Sequence, residues 1–447
     1  MTNSTPDRPL QRLRLTGADC FVLALNRLMR KNGQNELVGQ TFVLLASEPE
    51  MDSLQSAANR LAKAHPILDA EVVRHPLSLL SAWKWKTKSR ALPVRLWREP
   101  GVAGHEDAMG VESLHAWSEA VMNDRLEKNG GLRNLRIDLV FCRDGRSALV
   151  LTWSHLLFDG RGAELLVGEL LRGSEKKLLP APKPPSQKFR ARIEIARPVV
   201  ERFFSLSRNQ YRSLAGHVPR PGKLRYELLR LDESQTDFAL RRASTLANPL
   251  FPTAFFIACA TRAHRRVFQS RGEDPSDYVM SIPVQTRRRG AGGAIFQNGV
   301  TMLFFHLRKT ELDTLQAATQ AAMTQFEEMT RQQLDRSFHQ VLDLMKRLPS
   351  PLYMRFVGMQ FQGEITSFFH SFTGEFSVPL DEVFGARVMD AFHVPSVSAP
   401  PGSGIFVGLF RGRLTATLSW RDGAATEKEI SLMREHLMGD FTGEGVK

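Results

Sequence analysis

SALVLTWSHLLFDG, residues 147–160, is an apolar run that ends on a histidine and then turns at Asp-Gly. Just before it, LRIDLVFC at 135–142 is a second apolar run, and the RDGR between them contains the Asp-Gly of a tight hairpin turn. The two runs read as a β-hairpin. Directly after comes RGAELLVGELLR, which carries Leu165, Leu166, Leu170 and Leu171 at helical spacing. His155 therefore sits where a buried strand ends and a helix is about to begin.

His155, Asp159 and Gly160 form the pattern H-x-x-x-D-G, which chance alone would give about 0.04 times in a chain of this composition. A neutral imidazole accepts the proton of an alcohol or amine as it attacks a thioester carbonyl, then returns a proton to the leaving thiolate. A carboxylate four residues on organises the loop by pairing with an arginine from elsewhere. Gly160 allows a sharp turn or the close approach of a ligand. The competing reading of these six residues is a buried histidine bonded to backbone and followed by an Asp-Gly turn.

Outward from the motif the chain alternates helical and strand-like patterns, which predicts an α/β protein. MDSLQSAANRLAKA at 51–64 has helical spacing, and HPILDAEVV stops that helix and starts a strand. PTAFFIACATRAHRRVF at 252–268 reads as a helix, while YVMSIPV and TMLFFHL read as strands. GIFVGLFRGRLTATLSW gives two more strands about Arg411 and Gly412, followed by a final helix from Thr426. GSEKKLLPAPKPPSQKFRAR, at 173–192, is rich in proline and lysine, has no apolar periodicity, and reads as a linker. The division expected is an N-terminal lobe, 1–172, carrying the motif, and a C-terminal lobe, 193–447.

A chain of 447 residues exceeds the usual size of one core, about 250–300 residues. With 42% hydrophobic and 24% charged residues it has globular composition. Cys20, Cys142 and Cys259 form no CxxC pair, so neither a zinc site nor a disulfide framework is expected, and a reducing cytoplasm fits best. No secretory leader is read at the N-terminus, and no window approaches the roughly 18 apolar residues of a membrane-spanning helix. The formal charge of +13 favours anionic partners. Coenzyme A phosphates and an acidic acyl carrier protein fit that charge, whereas no nucleic-acid-binding pattern accompanies it.

Several segments together resemble the coenzyme A-dependent acyltransferase superfamily, which includes chloramphenicol acetyltransferase, peptide-synthetase condensation domains, and wax ester synthase/diacylglycerol acyltransferases. AHPILDAEVV, SHLLFDG, SIPVQTR at 281–287, QNG at 297–299 and PGSGIFVGLFRGRLTATLSW at 401–420 carry the likeness. It implies two chloramphenicol acetyltransferase-like lobes, each a mixed sheet flanked by helices, with an active-site tunnel between them. It makes His155 the catalytic base and Arg287 the foremost candidate to pair with Asp159, with Arg288 and Arg289 as neighbouring alternatives. It places Asn298 along the passage, and Ser371 or Thr373 near the developing oxyanion. The thioester, on coenzyme A or a carrier protein, is a co-substrate rather than a permanently bound cofactor, and the acceptor is a small molecule or lipid.

This chain departs from the family in three places: Ser154 stands where many relatives have a first histidine, the plant DFGWG signature is absent, and Phe372 stands where Asn often follows Ser. Two rivals to simple acyl transfer stay open. One is a condensation-like enzyme that cyclises, dehydrates or hydrolyses a tethered thioester; the other is a non-catalytic carrier-protein-binding module. RRRGAGGA at 287–294 lacks the order of a P-loop and reads as a loop. LMKRLPSPLYMRFVGMQFQ at 344–362 reads as core packing or tunnel lining in preference to a membrane-surface helix.

Overall fold

The computed structural model describes residues 11–74, 79–86, 90–103, 112–127, 131–173, 188–216, 222–287, 295–349, 351–355 and 364–443. Two six-stranded mixed sheets dominate it, each backed by helices. The first sheet has the order β12 (Glu382–Val383), β13 (Ala386–Pro395), β2 (Val38–Leu45), β7 (Ser147–Ser154), β6 (Leu135–Phe141) and β5 (Val94–Arg98). The second has the order β10 (Val300–Arg308), β9 (Asp277–Gln285), β11 (Phe368–Glu375), β14 (Ser403–Phe410), β15 (Arg413–Arg421) and β8 (Leu224–Arg230). A small sheet of β1 (Gln11–Arg14), β4 (Ser81–Trp85) and β3 (Glu71–Arg74) lies beside the first.

The helices are α1 (Gly17–Lys31), α2 (Met51–Ala64), α3 (Leu114–Met122), α4 (Gly160–Arg172), α5 (Phe189–Leu206), α6 (Glu233–Leu246), α7 (Thr253–Ser270), α8 (Leu315–Arg331), α9 (Leu334–Met345) and α10 (Glu427–Thr442). The predicted hairpin is β6–β7, antiparallel from Leu135–Trp153 to Phe141–Ser147. Every residue of β6 and β7 is buried, so β7 reads as a near-continuous apolar run, while the two charged residues of β6, Arg136 and Asp138, are buried as an ion pair at 2.6 Å. The closing pair β14–β15 turns through Arg411 and Gly412, both at positive φ, as a two-residue hairpin loop requires. Thr426 caps α10 with its side chain, and the Glu429 carboxylate accepts from the Thr426 backbone N–H.

Two expectations are revised. The proline-rich stretch lies mostly outside the described residues, but its last four residues, 189–192, are the first turn of α5 and not linker. The lobes are also not consecutive halves of the chain. Strands β12 and β13, from residues 382–395, leave the C-terminal half and complete the first sheet, with β13 antiparallel to β2 over Pro395–Gly39 to Val388–Leu45. A strand swapped this way has no sequence signal of its own, because its apolar pattern is the same whichever lobe it joins.

Each sheet buries its own core. Val43, Leu45, Leu149, Leu151, Phe158 and Leu166 are buried in the first, and Phe255, Phe256, Met280, Phe305, Phe368 and Leu437 in the second. A third cluster, with Phe42, Trp117, Phe392, Tyr226 and Leu224, ties the first sheet to β8 of the second. The lobes therefore meet through packed side chains, and the cavity lies beside that seam.

Candidate active site

A cavity of about 960 Å³ opens between the sheets and draws its walls from both. β7, β13 and α4 of the first lobe contribute Trp153, His155, Glu164 and His393, while β9, β11, β14 and β15 contribute Ser281, Ser371, Phe406 and Thr417. One part is apolar, with Phe21, Val22, Leu25, Met302, Phe338 and Leu342; another is polar, with Arg161, Glu164 and His393. A pocket of this size, mostly apolar with a few converging polar groups, suits a small molecule or an acyl chain.

His155 follows the last residue of β7, so strand geometry fixes its backbone while its ring reaches beyond the sheet. Its N–H donates to Leu37 O at 3.1 Å, and its C=O accepts from Asn298 Nδ2 at 3.0 Å. The ring packs against Trp153, centroids 5.6 Å apart. Nδ1 is buried without a partner among the described residues. Nε2 is not so enclosed and has no hydrogen-bond partner among the described residues, and the residue lines the cavity.

Asp159 caps α4, accepting from Gly162 N–H at 2.8 Å through Oδ1. Oδ2 accepts from Gly299 N–H at 2.8 Å. Arg287 Nη1 donates to both carboxylate oxygens, at 2.8 and 3.0 Å, and both side chains are buried. The same guanidinium reaches Gln297 O through Nη2 at 2.8 Å and Gln285 Oε1 through Nη1 at 3.0 Å. Asp159 thus faces Arg287 and two backbone amides, and serves as a clamp joining the motif loop to the second lobe. Gly299 belongs to this clamp, since a Cβ there would overlap the Arg287 guanidinium. Arg288 and Arg289 lie outside the described residues.

Gly160 does not adopt positive φ, so the sharp-turn reading is replaced. It is the first residue of α4, and a Cβ on it would meet nothing within 4 Å, which leaves room for a ligand beside His155. Asn298 is in the cavity wall, and its amide also holds the motif: Nδ2 donates to Asp19 Oδ1 at 2.9 Å as well as to His155 O. Ser371 and Thr373 lie on β11 in the cavity wall. The Thr373 hydroxyl donates to Val407 O at 3.3 Å, which takes the proton an oxyanion would need. The Ser371 hydroxyl has no protein partner among the described residues. Phe372 stacks on Phe256, centroids 4.5 Å apart, and makes this stretch of wall apolar.

Sequence reasoning missed Asp19, Trp153, Thr41, Glu164 and His393. Asp19 sits in the first turn of α1 within a capping box with Thr16, and accepts both the backbone and side-chain N–H groups of Asn298. Burial pushes its carboxyl above the usual range, against the opposing pull of those bonds. The T-G-A-D spacing of that box was a readable signal. Glu164 is buried on α4, bonded to His393 Nε2 at 3.1 Å and to Ser377 N–H at 2.9 Å. Burial alone would raise its carboxyl, but the His393 and Ser377 bonds outweigh it and hold it below the usual carboxylate value.

Among the described residues no group of three or more His, Cys, Asp or Glu is arranged to hold a metal ion. Cys20 and Cys259 are buried free thiols and Cys142 is a half-buried one. No described helix is long and apolar enough to cross a membrane.

No protein-family model matches this sequence, and no curated protein matches it either. Solved structures do. A trichothecene 15-O-acetyltransferase from Fusarium sporotrichioides superposes with a TM-score of 0.69 at 13% identity, covering 99% of this chain and 98% of that one. Polyketide synthase associated protein 5 from Mycobacterium tuberculosis gives 0.62 at 14% identity, over 98% of this chain and 100% of the other. The first condensation domain of the CDA synthetase gives 0.63 at 15% identity, over 96% and 94%. At these identities the likeness establishes a shared fold over the whole length of both chains.

Proposed function

We propose, for a chain with the two-lobed fold of the chloramphenicol acetyltransferase-like acyltransferases and condensation domains, that it transfers an acyl group from a thioester to a hydroxyl acceptor. The observation that carries this reading is His155 Nε2, open on a cavity shared by both lobes, with its backbone pinned from both sides. The acceptor hydroxyl gives its proton to Nε2 as its oxygen bonds to the thioester carbonyl carbon. The Ser371 hydroxyl, in the wall of the same cavity and without a hydrogen-bond partner among the described residues, is the candidate donor to the resulting oxyanion. When the tetrahedral intermediate collapses, the C–S bond breaks and the thiolate takes the proton back from Nε2, so the enzyme ends as it began. Holding both substrates beside one imidazole converts a bimolecular encounter into an oriented one.

The apolar wall from Phe21 to Leu342 supports an acyl group longer than acetyl, since burying its methylenes is worth about 0.8 kcal/mol each. The donor's carrier is coenzyme A or an acyl carrier protein, either of which suits the +13 charge. An amine acceptor is disfavoured because an amine is protonated near neutrality, whereas a hydroxyl is available and needs a base.

The test supplies acetyl-, octanoyl- and palmitoyl-coenzyme A with primary alcohols from ethanol to dodecanol and follows thiol release together with product mass. The proposal expects an ester product that disappears in His155→Ala while the variant keeps its fold by circular dichroism. Thiol release with free acid alone would assign hydrolysis instead. Undiminished ester formation by His155→Ala would remove the general base.

A further inference from the structure

The cavity wall carries a second histidine and carboxylate that the reaction above does not use. Their link to His155 follows from strand register. Gly39 pairs with Trp153 across β2 and β7, and Thr41 pairs with His393 across β2 and β13. All four residues therefore share one face of the first sheet. The Trp153 indole lies over Gly39, where a Cβ would overlap the ring. From there its Nε1–H donates to Thr41 Oγ1 at 3.0 Å. Thr41 Oγ1 is 3.0 Å from His393 Nδ1, and His393 Nε2 is 3.1 Å from Glu164 Oε1. The second Glu164 oxygen accepts from Ser377 N–H and from Arg161 Nη1, at 2.9 and 3.0 Å.

With His393 neutral, donor chemistry gives this chain a single direction. An indole N–H only donates, so the Thr41 oxygen must accept from it. An ionised carboxylate only accepts, so His393 carries its hydrogen on Nε2 and presents Nδ1 as an acceptor. The remaining Thr41 hydroxyl hydrogen then goes to Nδ1. In this arrangement every donor of the network meets an acceptor.

At its far end the indole packs against the His155 ring, while His155 Nδ1 has no partner that would fix the ring by a hydrogen bond. Packing against Trp153 is thus one restraint on the imidazole's orientation. The carboxylate that terminates the chain belongs to α4, the helix capped by Asp159, so both ends of the arrangement refer to the same motif. We infer that Glu164, His393 and Thr41 are positioning residues for His155, acting through the Trp153 indole. The inference rests on the reading of His155 as the general base.

Thr41→Val removes the hydroxyl while keeping the side chain's shape, Thr41→Ser keeps the hydroxyl, and Glu164→Gln loosens the far end. In full-length protein with isotope-labelled tryptophan and histidine, the Trp153 indole and His155 ring resonances are assigned through Trp153→Phe and His155→Ala. Kinetics use the best acyl-coenzyme A and alcohol pair from the panel above. Thr41→Val and Glu164→Gln should displace both resonances and lower kcat about tenfold or more, with KM within about twofold, because a misplaced base loses rate and not binding. Thr41→Ser should restore both.

A displaced indole resonance with an unmoved His155 resonance and normal kcat would reduce the chain to packing and overturn the inference. A change confined to KM would assign the pair to substrate binding and overturn it too. If the wild-type protein makes no ester, the acyl-transfer reading fails by itself, and the two resonances still decide whether Thr41 is coupled to His155.

Discussion

Replacing Asp159 or Arg287 with alanine removes one half of a buried ion pair, and the structure sets the size of the effect. The side chains are 6% and 7% exposed and share two contacts of 2.8 and 3.0 Å. Stranding one partner of such a pair costs about 3–5 kcal/mol. Arg287→Ala should fall toward the lower end, because Asp159 keeps the Gly162 and Gly299 amides. Asp159→Ala should fall toward the upper end: it removes the carboxylate from a buried guanidinium, whose bonds to Gln285 and Gln297 are to uncharged oxygens, and also uncaps α4, worth about 1 kcal/mol more. The double variant strands neither charge, so its loss should be smaller than the sum of the singles by about 2–3 kcal/mol. Urea unfolding followed by tryptophan fluorescence measures all four proteins. Additive single losses would show that the two side chains are not coupled, and a loss below about 1 kcal/mol for Asp159→Ala would show that the clamp does not bear on stability; either result refutes the reasoning.

Three further outcomes are expected. Gly299→Ala should push a methyl into the Arg287 guanidinium and cost about 1–3 kcal/mol, read from the same urea midpoints; an unchanged midpoint would mean the clamp yields freely. Ser371→Ala should lower kcat about a hundredfold with little change in KM if its hydroxyl meets the oxyanion, and steady-state kinetics with equal kcat would discard that role. His264 is buried, with Nδ1 bonded to Ala260 O and Nε2 to Ser403 Oγ, and burial lowers its pKa from 6.5 to about 3. Between those values the unfolded chain holds a proton the folded one refuses. Its contribution is therefore complete above 6.5 and is lost as pH falls from 6.5 toward 3, by about 2 kcal/mol at pH 5. His264→Asn should flatten the pH dependence of the urea midpoint between pH 7 and 5, and parallel curves for the two proteins would refute it.

The motif was legible because its parts are local. The β6–β7 hairpin, the end of β7 at Ser154 and the Leu-rich face of α4 follow from period and turn residues within the single stretch Leu135–Arg172. Arg287 was within reach of the resemblance because SIPVQTR ends a strand whose end faces the motif. The pairing of Arg287 with Asp159 depends on backbone groups that the sequence does not place: the Gly299 amide holds the carboxylate and the Gln297 carbonyl holds the guanidinium. Glu164 and His393 were not legible. One looks like an ordinary polar residue on a helix and the other like an ordinary strand residue, and only the placement of β13 beside β2 brings them together. The Thr373 hydroxyl shows a related effect: a backbone carbonyl from β14 is available to it, and a sequence does not show which carbonyls remain unpaired.

The borrowing of β13 by the first sheet has a consequence for how the molecule is made. On the ribosome, β2 emerges early but stays a bare edge, with open amides and carbonyls along Gly39–Leu45, until some 350 further residues have been added. Throughout that interval the nascent chain exposes a sticky, strand-ready border to its neighbours. A fragment ending at 172 would retain that border permanently and should aggregate unless a separate peptide spanning 382–395 is supplied to cover it.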